Sequence, residues 1–377
     1  MQPHQFAPFA IPFAAALRSG AGVAVVCAPK GSPRFFCQPE GDLDCAARPV
    51  FFAVPWLGRF GKGISIAACI SPGQAELLPD RGFIPDDPHG TSTPRAEYLS
   101  RVAELIAEIR GTGGKTVFSR RIVADFPSSF SVSQLIATAM SALDAAPAST
   151  FRTLFFSPRC GLWLSESPEV LVDYDRASSR LSTIALAGTR PSGATGPWDR
   201  KNILEQEMVT RFIADSLADC GWQFSHSEPG SRPAGPVEHI ATTFTASPAP
   251  GRLTNVVETI NRLSPTPALC GAPRPLSIER ISRLESHSRE MYGGYFGVSD
   301  SRRFTAAVTL RCARLGLNRC AVFAGGGITA QSVPADEWTE SARKAGGVLA
   351  SLGLSYSDHN CIIPDSARSI ALSGFCS

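Results

Sequence analysis

Two predicted helices carry glutamates whose positions suit metal or acid chemistry. The first helix runs from about Asp199 to Asp219. Its Glu205 follows helical spacing with an apolar stripe, so the sequence predicts that Glu205 lies on the buried face. The stripe comprises Met208, Val209, Phe212 and Ile213. A lone buried carboxylate is costly and requires a partner. That partner is either an arginine or lysine of a neighbouring element or a divalent cation.

The second acidic group lies in the stretch VPADEWTESARK, where Pro334 opens a predicted helix. Glu337, Glu340 and Lys344 project from one face at spacings of three and four. On an exposed face this is an ordinary stabilising Glu-to-Lys arrangement. The preceding strand, however, ends in AGGGI (Ala324 to Ile328), and consecutive glycines let backbone N–H groups approach a ligand closely. The combination favours a ligand site at this strand end.

A third candidate is the stretch LAGTRPSG (Leu186 to Gly193), which follows the apolar run Leu181 to Leu186. The glycines and the proline are typical of a loop. We therefore predict a loop at the end of a buried strand. Its polar residues lie between that strand and the helix that carries Glu205.

The elements that position these residues are mixed helices and strands without a strict alternation. The opening runs VAVVCAP, RPVFFAVPW and GISIAACI are strand-like and indicate an antiparallel section. Thr93 and Pro94 start a helix that ends at GTGG, and a strand then begins at Lys115. The apolar stripe of that helix comprises Tyr98, Val102, Leu105, Ile106 and Ile109. A further helix is predicted over Val132 to Leu143.

Composition excludes several classes of protein. The 377 residues favour two lobes or one large domain, and the net charge of +3 is not gathered in a basic run, so no nucleic-acid partner is expected. The eleven cysteines are an odd number without CxxC spacing, as in a reduced cytoplasmic protein. The run Phe9 to Leu17 contains Pro12 and lacks a basic flank, which argues against a signal peptide. No apolar run reaches the roughly 18 residues of a membrane span, so no membrane partner is expected.

Ten short motifs, in order between about residues 95 and 353, resemble those of the chorismate-utilising enzymes, most of all the isochorismate synthases of menaquinone or siderophore pathways. The motifs are KTVFSR (Lys115 to Arg120), SPEVLV (Ser167 to Val172), LAGTRPSG, KNILEQEMV (Lys201 to Val209), VEHIATTF (Val237 to Phe244), SPTPALCGAPR (Ser264 to Arg274), SREMYGGYFG (Ser288 to Gly297), VTLRCA (Val308 to Ala313), FAGGGI and EWTESARK (Glu337 to Lys344).

The resemblance implies an α+β fold, in which two interleaved α/β halves with large, mainly antiparallel sheets surround a central active site. It places the catalytic region at residues 91–354. Residues 1–90 then form a section that completes the sheet, and residues 355–377 form a tail.

The same resemblance implies an isomerase that adds water at C2 of chorismate and removes the C4 hydroxyl. Lys115 matches the general base and Glu169 the general acid. A lysine acts as a base only if its pKa falls, whereas burial raises the pKa of a glutamate. Mg²⁺ is implied between Glu205 and Glu340, with Glu337 as a further acid nearby. Asn202 stands at a position that is often acidic in relatives.

Substrate contacts are also implied by the resemblance. Tyr292 and Arg311 match the pair that grips the enolpyruvyl carboxylate, to which arginine can donate two hydrogen bonds. The remaining contacts are Gly325 through its backbone, Lys344 through its charge, His239 near the ring, and Gly188, Thr189 and Ala268. Arg190 is expected to brace its loop by contacting a buried carboxylate or a carbonyl.

Several related activities remain open. Salicylate synthases share the lysine and differ in the region of Thr189 and Ala268. Anthranilate and aminodeoxychorismate synthases use ammonia, usually from a glutaminase subunit, but tend to lack a lysine at the position of Lys115, so no glutaminase is expected here. A non-catalytic chorismate-binding subunit predicts losses among the catalytic and metal residues, and none is lost. We expect a monomer or weak homodimer and favour the menaquinone branch over a siderophore branch.

Overall fold

The computed structural model of the chain describes residues 4–40, 48–234, 237–356 and 361–362. The helices are α1 (Ala10–Arg18), α2 (Pro72–Ala75), α3 (Arg95–Thr112), α4 (Val132–Ala145), α5 (Arg200–Asp219), α6 (Val256–Leu263), α7 (Arg274–Leu284) and α8 (Pro334–Ser351). The strands are β1 (Gly22–Cys27), β2 (Arg34–Gln38), β3 (Val50–Val54), β4 (Ile64–Ala67), β5 (Lys115–Asp125), β6 (Phe151–Ser157), β7 (Gly161–Ser167), β8 (Val170–Asp175), β9 (Arg180–Pro191), β10 (Trp222–His226), β11 (Gly230–Ala234), β12 (Val237–Pro248), β13 (Gly271–Ala272), β14 (Tyr295–Ser299), β15 (Arg303–Val308), β16 (Cys312–Leu315), β17 (Arg319–Ile328), β18 (Ser355–Tyr356) and β19 (Cys361–Ile362).

Two large antiparallel sheets form the framework. The eight-stranded sheet has the order β13-β5-β17-β16-β7-β6-β1-β2. The nine-stranded sheet has the order β10-β12-β9-β8-β15-β14-β3-β4, with β11 paired to β12. The predicted α+β fold with large antiparallel sheets is confirmed. Strands from residues 1–90 join both sheets, β1 through β6 and β3 through β14. The predicted tail from residue 355 lies outside the described residues except for β18 and β19.

Aromatic side chains fill the space between the two sheets. Phe51 of β3 and Phe155 of β6 have ring centroids 5.3 Å apart, although they belong to different sheets. Phe151 of β6 and Phe296 of β14 meet edge-on in the same way, at 6.3 Å. Because these rings are almost fully buried, they supply much of the apolar area that holds the sheets face to face.

Helices cover the eight-stranded sheet on its other face. Phe13 of α1, Leu135 of α4 and Leu349 of α8 are buried in one apolar cluster with residues of that sheet. A capping box formed by Ser131 and Gln134 starts α4 and satisfies backbone donors that the first turn leaves open. In the described part of the chain, no helix is both long enough and apolar enough to cross a bilayer.

Helix α3 delivers the chain to the start of β5. All five residues of its predicted apolar stripe are buried. Gly113 follows the last residue of the helix as its C-cap and adopts a φ of 73°, which a glycine accepts without steric cost. The strand then begins at Lys115, as predicted. The end of α3 therefore fixes which residue occupies the first position of β5.

The prediction of a loop at LAGTRPSG is wrong for Leu186 to Pro191, because β9 continues to Pro191. Pairing with β12 extends the strand, since Glu238 lies opposite Arg190 and a register shift between Glu238 and Ile240 accommodates an irregularity. Gly188 has a φ of 63° at this point. The partner strand, which is distant in sequence, thus overrides the local turn signals.

Candidate active site

Lys115 and Glu205 form an ion pair within the protein. The Nζ atom of Lys115 lies 3.1 Å from Oε2 of Glu205, and the two side chains are 8% and 14% exposed. The backbone of Lys115 is fixed by pairing with Ala272 and by a hydrogen bond of 2.9 Å that Ser277 Oγ donates to its carbonyl. A Cβ atom at Gly327 would lie 2.2 Å from Cε of Lys115, so only glycine leaves room for the lysine there.

Glu205 lies beside the buried face of α5 and not at its centre. The fully buried residues of this helix include Gln206, Val209 and Ile213, whereas Met208 and Phe212 are half-buried. Two residues of the predicted stripe, Val209 and Ile213, are therefore buried as expected, whereas Glu205 lies at the edge of the stripe. Of the two partners considered for the carboxylate, the structure provides the lysine, namely Lys115.

Glu169 is a buried carboxyl group in the turn between β7 and β8. Its side chain accepts a hydrogen bond of 3.2 Å from Thr266 Oγ1. Burial raises the pKa of Glu169 to about 7, against the opposing effects of the Thr266 hydrogen bond and the charge of Lys115. The environment therefore allows Glu169 to keep its proton near neutral pH and places it within electrostatic reach of Lys115.

The acidic residues of α8 lie against the glycine-rich end of β17. A Cβ atom at Gly326 would lie 2.6 Å from Oε2 of Glu337 and 3.6 Å from Oε1 of Glu340. Lys344 Nζ contacts Oε1 of Glu340 at 2.7 Å and donates to the carbonyl of Gly325 at 3.0 Å. One polar cluster is thus formed by the end of β17, the two glutamates and the lysine. At Gly325, the carbonyl binds Lys344, whereas the backbone N–H of this residue was predicted from the sequence to bind the substrate.

The two glutamates of this cluster differ in acidity. Burial raises the pKa of Glu337, despite a hydrogen bond of 2.7 Å from Ser332 Oγ, and the charge of Glu340 adds to the rise. Burial also opposes ionisation of Glu340, but Lys344 and Lys201 outweigh it and lower its pKa. Glu340 is accordingly the more acidic member of the pair.

The carboxylates fit magnesium by their donor chemistry. Mg²⁺ takes oxygen ligands, keeps several waters and is commonly held by one or two carboxylates. In the described part of the chain, no three Asp, Glu, His or Cys side chains converge as a ready-made metal cluster. Glu205 and Glu340 are each paired with a lysine. They are therefore available as ligands only if those lysine contacts open.

His239 joins the predicted ring contacts on β9. Its Nδ1 atom lies 3.0 Å from the hydroxyl of Thr189 and 3.0 Å from the carbonyl of Gly188. Burial lowers the pKa of His239, and the nearby positive charges of Arg311 and Lys344 lower it further. The structure therefore brings these three predicted residues together, in surroundings that disfavour a charged imidazole.

The other predicted contacts occupy separate surroundings. Tyr292 is buried and stacks on Phe323 with ring centroids 6.0 Å apart, and burial raises its pKa. Ala268 is half-buried beside the same core. Arg311 is instead paired with Glu166, its Nη1 atom lying 2.9 Å from Oε1. The structure does not therefore show Tyr292 and Arg311 as a joined pair.

Two clefts divide the predicted residues. One cleft of about 530 Å³ is lined by residues that include Lys115, Glu205, Lys201 and Thr329. Its volume is in the range of small-ligand sites. A narrower cleft is lined by residues that include His239 and Arg311.

Polar residues that the sequence did not single out hold α5 against β9. Gln206 accepts a hydrogen bond from the backbone N–H of Ala187 at 3.0 Å and donates to Thr242 Oγ1 at 3.0 Å. Asn202 accepts a hydrogen bond of 3.0 Å from the backbone N–H of Thr189. The sequence marks this residue only because relatives often have an acidic residue at its position. In the sequence, this role is indicated by the position of Gln206, a polar residue within the apolar stripe of the helix and directly after Glu205. These two side chains fix α5 relative to Ala187 and Thr189 of β9.

Arg190 makes both contacts that were expected of it. Its Nε donates to Oε1 of the buried Glu238 at 2.5 Å, and Nη1 donates to the carbonyl of Gly196 at 2.9 Å. The guanidinium also lies 4.0 Å from the ring centroid of Trp198. The prediction that Arg190 has a bracing role is confirmed.

Comparison with known proteins gives consistent matches. The family described as chorismate binding enzyme matches residues 85–353. Isochorismate synthase EntC of Escherichia coli (strain K12) is 29% identical over 278 residues, which cover 70% of this chain and 64% of that protein. The match thus spans less than two thirds of that relative.

Solved structures share the fold. MenF, the menaquinone-specific isochorismate synthase from Escherichia coli, superposes with a TM-score of 0.72 at 19% identity, covering 91% of this chain and 90% of that one. Anthranilate synthase component I from Streptococcus pneumoniae TIGR4 gives a TM-score of 0.60 at 14% identity, covering 86% and 89%. At these identities the likeness establishes the architecture alone.

Proposed function

Since the chain belongs to the family of chorismate-binding enzymes, we propose that it is an isochorismate synthase, an isomerase that converts chorismate to isochorismate. The proposal is supported by the matched relative EntC and by the side chains gathered around β5 and α5. The observation that carries it is the environment of Glu169, a buried carboxyl group whose pKa of about 7 lets it hold a proton within electrostatic reach of Lys115.

The reaction exchanges one hydroxyl for another across the conjugated ring. A water oxygen bonds to C2 while the double bonds shift and the C4–O bond breaks. Lys115 accepts the proton that the attacking water loses, and Glu169 gives its proton to the departing hydroxyl, which leaves as water. One water enters and one leaves, so the product is an isomer of the substrate. Each group needs the protonation state opposite to its usual one at neutral pH.

The environment favours the required protonation state of the acid. Glu169 is protonated because burial disfavours its charge. The Nζ atom of Lys115 lies 3.1 Å from the carboxylate of Glu205. A lysine accepts a proton only when it is neutral and its nitrogen faces the donor, so the Lys115 to Glu205 contact has to open before Lys115 takes a proton from the attacking water.

Magnesium would be held by Glu205 and Glu340, with Glu337 nearby. When bound, it supplies positive charge that neutralises a carboxylate of the substrate. The rest of the site belongs to the chain itself: Thr189 and His239 contact the ring region, and Arg311 and Lys344 provide charge for the second carboxylate. Gly188, Gly325, Ala268 and Tyr292 complete the proposed set of substrate contacts.

Chromatography of the products formed from chorismate tests the activity. Isochorismate as the sole product supports the proposal. Salicylate together with pyruvate would establish a salicylate synthase instead, and anthranilate formed with ammonia would establish the aminating type. No glutaminase subunit is needed for the proposed reaction. The menaquinone branch stays a prediction, which the neighbouring genes would test.

A further inference from the structure

Arg311 is held at two points by Glu166. Arg311 lies in the connection between β15 and β16, and Glu166 lies on the neighbouring strand β7. Its guanidinium Nη1 is 2.9 Å from Oε1 of Glu166, and its carbonyl accepts a hydrogen bond of 3.3 Å from the N–H of Glu166. The side chains are 33% and 21% exposed, so solvent and ligands can reach the pair.

The backbone of Arg311 explains why such a support is needed. Its φ is 40°, in the left-handed region that a residue with a Cβ atom rarely occupies. A side chain that leaves such a backbone has few alternative positions once it is bound at its tip. The carboxylate of Glu166 therefore fixes the direction of the guanidinium.

The contact leaves Arg311 able to bind a second anion. A guanidinium has five N–H donors, and Glu166 engages it through one nitrogen. A substrate carboxylate bound to Arg311 would nevertheless lie close to the negative charge of Glu166, which repels it. Orientation thus favours substrate binding, whereas the charge of Glu166 opposes it.

We propose that Glu166 is a positioning residue that aims Arg311 at a substrate carboxylate and, by its charge, limits how tightly that anion is held. This inference rests on the proposed function, in which the substrate and the product both carry carboxylates. Moderate affinity for the anion lets the product leave. The structure thus assigns Glu166 a part in setting the KM.

Two substitutions separate the two effects. Glu166→Gln keeps an oxygen that can accept from Arg311 but removes the charge, so the KM for chorismate should fall by about threefold at low salt. That gain should disappear at high ionic strength because salt screens the charge. Glu166→Ala removes the support, so the KM should rise by about tenfold, while kcat stays near the wild-type value.

The control substitution is Asp173→Asn. Asp173 pairs with Arg303 at 2.8 Å between β8 and β15, in a more exposed ion pair. The Asp173→Asn protein should have the same KM for chorismate as the wild type. Thermal unfolding of all three variants establishes that they are folded. Equal KM values for both Glu166 variants and the wild type would overturn the inference. A lower KM in Glu166→Ala would also overturn it, because Glu166 would then only compete with the substrate.

Turnover of chorismate by the wild-type protein is measured first. If the wild type forms no isochorismate, the proposed function fails and this inference with it. If the wild type is active and the Glu166 variants behave like Asp173→Asn, only the role of Glu166 is rejected.

Discussion

Lys115 and Glu205, which are separated by 90 positions in the chain, form an ion pair of 3.1 Å between the start of β5 and the first turns of α5. Each was assigned a different task by the resemblance, base for the lysine and metal ligand for the glutamate. Their contact links the two tasks, because the amine of the proposed base binds an oxygen of the proposed metal ligand. One ion pair therefore occupies both groups.

Removal of the Lys115 amine tests its role as base. Lys115→Ala should abolish isochorismate formation, whereas chorismate binding, measured by isothermal titration, should persist. Lys115→Arg is the matched variant, because arginine can keep the ion pair with Glu205 but does not give up its proton. Both variants should be inactive. Retained turnover in Lys115→Ala would remove Lys115 from the mechanism.

Neutralising Glu205 tests the metal site. Glu205→Gln keeps the shape of the side chain but weakens an oxygen ligand, so activity should require much more magnesium, about tenfold or above. Activity measured against magnesium concentration gives the midpoint. Glu207→Gln, which alters an exposed glutamate on the same helix, is the control and should leave the midpoint unchanged. An unaltered midpoint in Glu205→Gln would exclude Glu205 as a ligand.

The pH dependence of kcat/KM should report the pKa of Glu169. The acid must be protonated, so kcat/KM should fall as the pH rises through about 7. Thr266→Val removes a hydrogen bond that lowers this pKa, and the decline should therefore move to higher pH. A pH profile that is the same in Thr266→Val and the wild type would contradict the assignment of this limb to Glu169.

Folding stability should depend on the same group. The pKa of Glu169 is raised from 4.5 to about 7, so the folded protein binds more protons than the unfolded chain in that window. Its contribution to stability is then complete below about pH 4.5 and is lost as the pH rises through 7. Relative to the wild type, Glu169→Gln should gain roughly 3 kcal/mol of unfolding free energy between pH 4.5 and pH 8. Urea denaturation at the two pH values measures this difference, and a constant difference would contradict the raised pKa.

The absence of a side chain at position 327 should be required for activity, because Lys115 occupies the space next to Gly327. In Gly327→Ala, the added Cβ would lie 2.2 Å from Cε of Lys115 and would displace the lysine. We expect kcat to fall by about a hundredfold, since small misplacements of a catalytic group have large effects. Gly347→Ala on α8 is the matched control, because its Cβ would meet no atom within 4 Å. It should keep full activity and gain about 0.5–1 kcal/mol of stability. Full activity in Gly327→Ala would show that Lys115 need not occupy this position.

Local signals in the sequence were sufficient for the helices that lead into the site. The apolar stripe of α3 and the glycines after it define where that helix ends, and all five stripe residues are buried. Asp199 caps α5 by accepting a hydrogen bond of 2.8 Å from the N–H of Asn202. Such features depend on residues within a few positions of one another, so the sequence displays them directly.

Strand pairing is the first property that only the tertiary structure decided. The stretch LAGTRPSG has the composition of a turn, yet β12 pairs with it as far as Pro191. The ladder satisfies backbone hydrogen bonds that a turn signal cannot anticipate, because the partner lies about 50 residues further along the chain.

The sequence by itself determined the family motifs, the helices α3, α4, α5 and α8, and the types of side chain available to the site. The tertiary structure decided how these side chains are paired: Lys115 with Glu205, and Arg311 with Glu166. The reason is that charge interactions depend on distance and burial, which neighbouring residues in the sequence do not fix. The pKa of Glu169 belongs to the same category, since its rise comes from burial that the whole fold creates.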